Sequence, residues 1–177
     1  MERKVILYIA MSLDGYIAKP DGDIRFLSMV EQAGEDYGYA AFNSTVDTVI
    51  WGRKTYDKVL TFGIDLPHAD KKVFVITRTP RLPIGNITFY SGELKDLIEN
   101  LKAEEGRHIY IDGGSELVNA LLKEGLMDEL YISIIPVLLG EGIALFKQGC
   151  PELKLKLLES KSFEKGLVQL HYEVLRK

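Results

Sequence analysis

The sequence predicts an α/β domain with a mostly parallel central sheet, helices on both faces and a C-terminal antiparallel hairpin. Three observations carry this. Short apolar runs rich in β-branched and aromatic residues alternate with stretches of helical spacing. Several runs lack polar alternation, as strands covered on both faces do. The tail, by contrast, alternates strictly between apolar and polar residues.

Taken in order, Val5 to Ala10 forms the first strand, Asp36 to Thr45 a helix and Thr48 to Trp51 a strand. Lys54 to Leu60 is a helix, and Val73 to Thr77 and Ile87 to Tyr90 are strands bounded by Pro, Gly or Ser. Leu94 to Glu105 is a helix, His108 to Ile111 a strand, Ser115 to Glu124 a helix and Glu129 to Ile135 a strand. In the tail, Leu153, Leu155 and Leu157 alternate with lysines, and Val168, Leu170, Tyr172 and Val174 with polar residues. This predicts a half-exposed hairpin turning near Glu164-Lys165-Gly166, with His171 on its polar, solvent face.

The 177 residues suit one domain and contain no repeat or linker, so 1–177 is expected to fold as a unit. The charge of −4 excludes a general nucleic-acid surface or a polybasic membrane contact, which require a cationic field. The lone Cys150 cannot close an internal disulfide, and with His68, His108 and His171 alone no metal quartet can be written. No metal is expected, and the address is expected to be cytoplasmic. The apolar run from Val5 to Met11 is too short for a signal core or a membrane span.

No GxGxxG follows the first strand, no GxxxxGK[ST] or GxSxG occurs, and Gly140-Glu141-Gly142 is expected to be a chain reversal. Chemistry is therefore sought at strand ends. Asp112-Gly113-Gly114-Ser115 joins a strand to a helix, where glycines admit a ligand to the backbone and the helix N–H groups favour a phosphate. Gly52-Arg53-Lys54-Thr55 puts cations into a helix's first turn, against the macrodipole, unless an anion compensates. Thr77-Arg78 ends another strand, and its guanidinium suits a phosphate monoester. These motifs share the carboxyl rim where open α/β sheets bind ligands.

Ser12-Leu13-Asp14-Gly15-Tyr16-Ile17-Ala18, the Gly52-Arg53-Lys54-Thr55 turn, Val75-Ile76-Thr77-Arg78, Asp112-Gly113-Gly114 with Leu117, and Ile134 to Gly142 resemble, in order, the dihydrofolate reductase superfamily. They are most similar to its branch containing the reductase domain of bacterial riboflavin biosynthesis and its stand-alone relatives. The resemblance implies a dihydrofolate reductase-like three-layer fold that binds NADPH. It places Ala10, Ile17 and Ala18 at the nicotinamide and ribose, and Gly52, Arg53 and Thr55 at the phosphates. Thr77 and Arg78 fall at the adenosine 2′-phosphate. Gly113 and Gly114, joined by a cis peptide, fall against the nicotinamide and pyrophosphate.

The same resemblance makes Asp36, sixteen positions before Gly52, the proton-handling carboxylate, with Tyr37 and Phe42 as an aromatic wall or core. Phe26 stands where folate reductases carry a tryptophan. Lys72 to Thr77 replaces the basic segment of riboflavin reductases, and no deaminase zinc ligands exist. The expected activity is NADPH-dependent hydride transfer to a small pteridine- or pyrimidine-like heterocycle. The alternatives are the riboflavin-pathway reduction of a ribosylamino-pyrimidine phosphate and a non-catalytic NADPH-binding regulator. Relatives of the riboflavin type pair through their sheets, so a homodimer is expected, with Ile132 to Leu139 as a surface or a buried strand.

Overall fold

The computed structural model describes residues 2–63 and 67–176. Its elements are β1 (Val5–Ser12), β2 (Tyr16–Ala18), a 3-10 helix (Arg25–Val30), α1 (Tyr39–Ser44), β3 (Val46–Gly52) and α2 (Arg53–Leu60). There follow β4 (Lys72–Ile76), β5 (Ile87–Tyr90), α3 (Leu94–Ala103), β6 (His108–Gly113), α4 (Ser115–Lys123), β7 (Glu129–Ile135), β8 (Ile143–Ala144), β9 (Leu155–Ser162) and β10 (Val168–Val174). The main sheet runs β5-β4-β3-β6-β1-β7-β10-β9. Its first six strands are parallel and the last two antiparallel. The predicted class and hairpin are both present.

The burial pattern explains the missing alternation. On one face Val5, Leu7, Ile50, Ile109 and Ile111 pack against Leu97, Ile98 and Leu101 of α3 and Leu117, Val118 and Leu121 of α4. On the other, Val49, Trp51, Val73, Val75 and Tyr110 pack against Phe42 of α1 and Tyr56 of α2. Adjacent strand residues thus feed two cores, and burying each such side chain stabilises by about 1.5–3 kcal/mol.

Three expectations change, and one open alternative is decided. The helix predicted from Asp36 starts only at Tyr39, because Tyr37 (φ 58°) and Gly38 (φ 83°) are left-handed. Of the two readings of Ile132 to Leu139, β7 itself is the buried strand, lying between β1 and β10 with Ile132 and Ile135 buried, while Pro136 and Leu138 in its continuation are exposed. His171 is not free on the surface: its ring stacks on Tyr131 at 3.7 Å and Nε2 lies 2.8 Å from Glu129. β9 is exposed along its whole length rather than on one face. Gly140 and Gly142 do reverse the chain, into β8, which pairs with β2.

Candidate active site

β4, β3 and β6 are neighbours, so their carboxyl ends bring Arg78, Gly52 and Gly113-Gly114 to one rim. The two loops touch: a Cβ on Gly52 would lie 3.4 Å from Gly114 N, and one on Gly114 would lie 2.9 Å from Thr55 Oγ1. Gly52, Thr55, Gly113 and Gly114 are therefore one cluster, and the Gly113-Gly114 bond is cis, as the resemblance implied. α2 and α4 both start there with glycine caps that offer no side-chain acceptor, and α2 has no acid in its first turn. Unsatisfied helix N–H groups are thus available to an anion.

The cations of this rim are partly engaged. Arg53 Nε donates to Asp57 Oδ1 and Oδ2 at 2.8 and 2.9 Å, a half-exposed i,i+4 pair worth little, which an anion can displace. Lys54 pairs with Glu116 at 2.8 Å, and Lys147 lies 3.8 Å from the same carboxylate. These two, with the nearby charge of Arg78, hold the Glu116 carboxyl below its ordinary range. Arg78 is exposed. Thr77 is buried, its N–H donating to Tyr90 O and its hydroxyl engaged in a local turn with Thr79.

On the other side of the rim, β1 leads into the loop ending at β2. Ser12 Oγ donates to Asp14 at 2.5 Å, and Asp14 also accepts the N–H groups of Leu139 (3.1 Å) and Gly140 (2.7 Å). These bonds depress the Asp14 pKa and tie two distant loops together. Ile17 packs towards the α3–α4 core. Ala18 is buried, with its carbonyl so close to Gly142 that no side chain fits there.

Ala10 opens onto a cleft of about 250 Å³ lined also by Tyr8, Leu27, Val30, Asp36, Tyr37, Ser133, Ile135 and Leu167. The walls are mostly apolar, and Phe26 closes the cluster beneath. Asp36 is the carboxylate that the sequence reading singled out, and the structure brings it to this cleft with Ala10 and Tyr37. It accepts the backbone N–H groups of Gly38 and Ala40, both at 2.9 Å, which lowers its pKa and keeps it ionised. Phe42 is core: it stacks on Tyr8 at 4.5 Å.

Sequence reasoning missed Asp112, which ends β6 just before the glycine pair. Its Oδ2 accepts Trp51 Nε1 at 2.7 Å and lies 3.3 Å from His68 Nε2, while Oδ1 accepts the Tyr110 hydroxyl at 2.6 Å. The partners lie 61, 44 and 2 positions away, so only the short β6 spacing was visible in the sequence. Also missed was the polar pair Tyr8 and Ser133 in the cleft wall, held from behind by Gln169, whose Nε2 donates to Tyr8 Oη (2.9 Å) and Ser133 Oγ (3.1 Å). Among the described residues there is no cluster of three or more metal-ligating side chains, and no helix is long and apolar enough to cross a membrane.

Residues 3–169 match the family model described as the RibD C-terminal domain. The chain is 47% identical over 173 residues to the uncharacterized protein YwjB of Bacillus subtilis (strain 168), covering 97% of this chain and 98% of that one. It superposes with a TM-score of 0.88 on a crystal structure, from Shewanella sp. PV-4, of a protein provisionally named for riboflavin biosynthesis; the two are 36% identical over 99% and 100% of the chains. Dihydrofolate reductase from Enterococcus faecalis, solved with NADP(H), gives a TM-score of 0.65 at 19% identity over 98% and 97%, a likeness of fold alone. With both glycine loops, the uncapped helix starts and the cleft beside them in place, the chain belongs to the RibD C-terminal domain family of dihydrofolate reductase-like reductases.

Proposed function

We propose that the protein is an NADPH-dependent reductase that transfers hydride to a small pteridine- or pyrimidine-like heterocycle held in the cleft of Ala10 and Asp36. The observation that carries this is the contact of the Gly52 and Gly113-Gly114 loops, with two uncapped helix starts beside an apolar cleft. The backbone approach leaves no room for a Cβ at Gly114, which fits a cofactor laid across the loops. Arg53 and Thr55 would meet the phosphates, and Thr77 and Arg78 the 2′-phosphate. Ala10 and Ile17 would flank the nicotinamide, with Ala18 behind them.

NADPH, when bound, supplies the hydride; the chain's own residues handle the rest. The apolar cleft walls exclude water and hold a flat ring. Asp36, kept ionised by its two N–H donors, pairs with a ring N–H and favours the protonated form of the acceptor. It therefore acts as an anionic anchor through which a solvent proton reaches the reduced bond, not as a store of that proton. We also propose that a second copy of the chain pairs on β9, a reading supported by its being the exposed sheet edge; sedimentation showing a monomer at micromolar concentration removes that part.

The test compares thermal stabilisation by NADPH and NADH, then acceptor-dependent NADPH oxidation. A ligand at 100 times its dissociation constant raises stability by about 2.7 kcal/mol, so preference for the 2′-phosphate reads directly. Equal or absent shifts refute the cofactor assignment. A preferential NADPH shift with no turnover of any pterin or aminopyrimidine favours the non-catalytic reading.

A further inference from the structure

The cleft is not the only cavity on its face of the sheet. A second, of about 320 Å³, lies between α1 and the β9–β10 hairpin and is lined by Ile6, Phe42, Glu129, Tyr131, Glu159 and Lys161, among others. Strand alternation places Ile6, Tyr8 and Ala10 on one face of β1. Ile6 lines the second cavity, Ala10 the cleft, and Tyr8 both. The Tyr8 side chain stands in the wall between them, beside the hydrogen bond from Gln169, which lines the second cavity, to Ser133, which lines the cleft.

That wall is held at both ends. The Tyr8 ring stacks on Phe42 (centroids 4.5 Å) and Tyr131 (5.4 Å), with Tyr39 edge-on at 5.7 Å. Its hydroxyl donates to Tyr37 O at 2.9 Å and accepts Gln169 Nε2 at 2.9 Å, and the same amide donates to Ser133 Oγ. Gln169 is 7% exposed and Ser133 5%. Moving the ring would break aromatic contacts worth about 0.5–1.5 kcal/mol each and both hydrogen bonds of the Tyr8 hydroxyl, although Gln169 would keep Ser133 Oγ and Tyr37 O as acceptors. The wall is a fixed part of the fold.

We propose that Tyr8 is the specificity-determining residue of the acceptor site: it stops the cleft short of the second cavity and restricts the acceptor to a compact heterocycle with no chain running along β1 towards Ile6. The inference rests on the reading of the cleft as the acceptor site. It also fixes what an opened site takes. In the second cavity Glu129 is paired with Lys4 and His171, and Lys161 with Glu159 at 3.1 Å. Among the described residues this lining sets two carboxylates, Glu129 and Glu159, against Lys161 and against His108, whose pKa burial lowers, so its charge disfavours a phosphate and the added space suits a neutral hydroxylated chain.

The test measures dissociation constants by calorimetry, with NADP⁺ present, for three ligands sharing a 7,8-dihydropterin ring: a 6-methyl, a 6-trihydroxypropyl and a phosphorylated 6-trihydroxypropyl compound. Wild-type protein is expected to bind the methyl compound at least tenfold more tightly than either long one. Tyr8→Val is expected to bring the neutral long compound within about twofold of the methyl one, leave the phosphorylated one weak, and keep the wild-type thermal shift with NADPH. Tyr8→Leu, which also removes the ring, serves if the valine variant does not fold. Equal wild-type binding of all three, or an unchanged ratio in the variants, overturns the wall. Binding of none of them by wild-type protein, with the NADPH shift intact, overturns instead the acceptor reading on which the wall depends.

Discussion

Replacing Asp112 with alanine removes one carboxylate that two interior donors share. Trp51 is fully buried, and among the described residues its indole N–H has Asp112 alone as acceptor. Tyr110 is also buried, but its hydroxyl has a second acceptor in Tyr8 O at 3.2 Å. A stranded buried donor costs about 1–3 kcal/mol. The indole bears that in full, the phenol only part, and the half-exposed position of Asp112 admits some water. About 2–3 kcal/mol follows, or a fall in Tm of about 4–12 °C for a chain of this size. Urea unfolding should show a lower midpoint with unchanged slope, since the exposed surface is the same. Adding Trp51→Phe to Asp112→Ala removes the stranded donor, so the pair should cost less than the sum of the two single changes. A single-variant loss under about 0.5 kcal/mol, or strict additivity, would refute the accounting.

Asp36→Asn keeps a capping oxygen for α1 but loses the charge; we expect acceptor-dependent oxidation to fall about 100-fold or more, with Tm nearly unchanged. Arg78→Ala should narrow the difference between NADPH and NADH shifts and leave the NADH shift as it is. The Asp128 carboxyl is bonded by Lys102 (2.5 Å), the Val5 N–H (2.8 Å) and Arg176 (2.7 Å), which hold its pKa below 3.8 despite burial. Because the folded value is the lower one, this stabilisation is complete above the ordinary carboxylate range and is lost as pH falls below about 3.8 through the folded value. Acid titration of Asp128→Asn followed by circular dichroism should show a shallower stability loss across that window than the wild type.

Much of the frame was legible because two-sided burial writes itself as unbroken runs such as Val49-Ile50-Trp51 and Ile109-Tyr110-Ile111. The rim was legible because two glycine turns, one followed by Arg53, stand at the ends of separate strands in the order the family resemblance expects, and Gly52, Gly113 and Gly114 do meet. The over-long first helix shows the limit: Asp36 suits a helix start, yet its carboxylate reaches forward past two left-handed residues to cap a helix that begins three positions later. His171 and Asp112 were misjudged or missed for another reason. Their decisive partners, Glu129 and Trp51, lie 42 and 61 positions away, so only the folded sheet reveals them.

The order of strands governs when this protein can fold at all. β1, made first, is clasped between β6 and β7, and its pairing with β7 reaches from Ile6 to Glu129 and from Ser12 to Ile135. A nascent chain on the ribosome must therefore hold Val5-Ile6-Leu7 without a sheet neighbour until β6, whose Ile109 pairs with Val5, has emerged, and without its second neighbour until β7 follows. Long-range parallel pairing of this kind slows folding and leaves sticky intermediates. Cells producing it would be expected to depend on holding chaperones during synthesis more than on any aid after release.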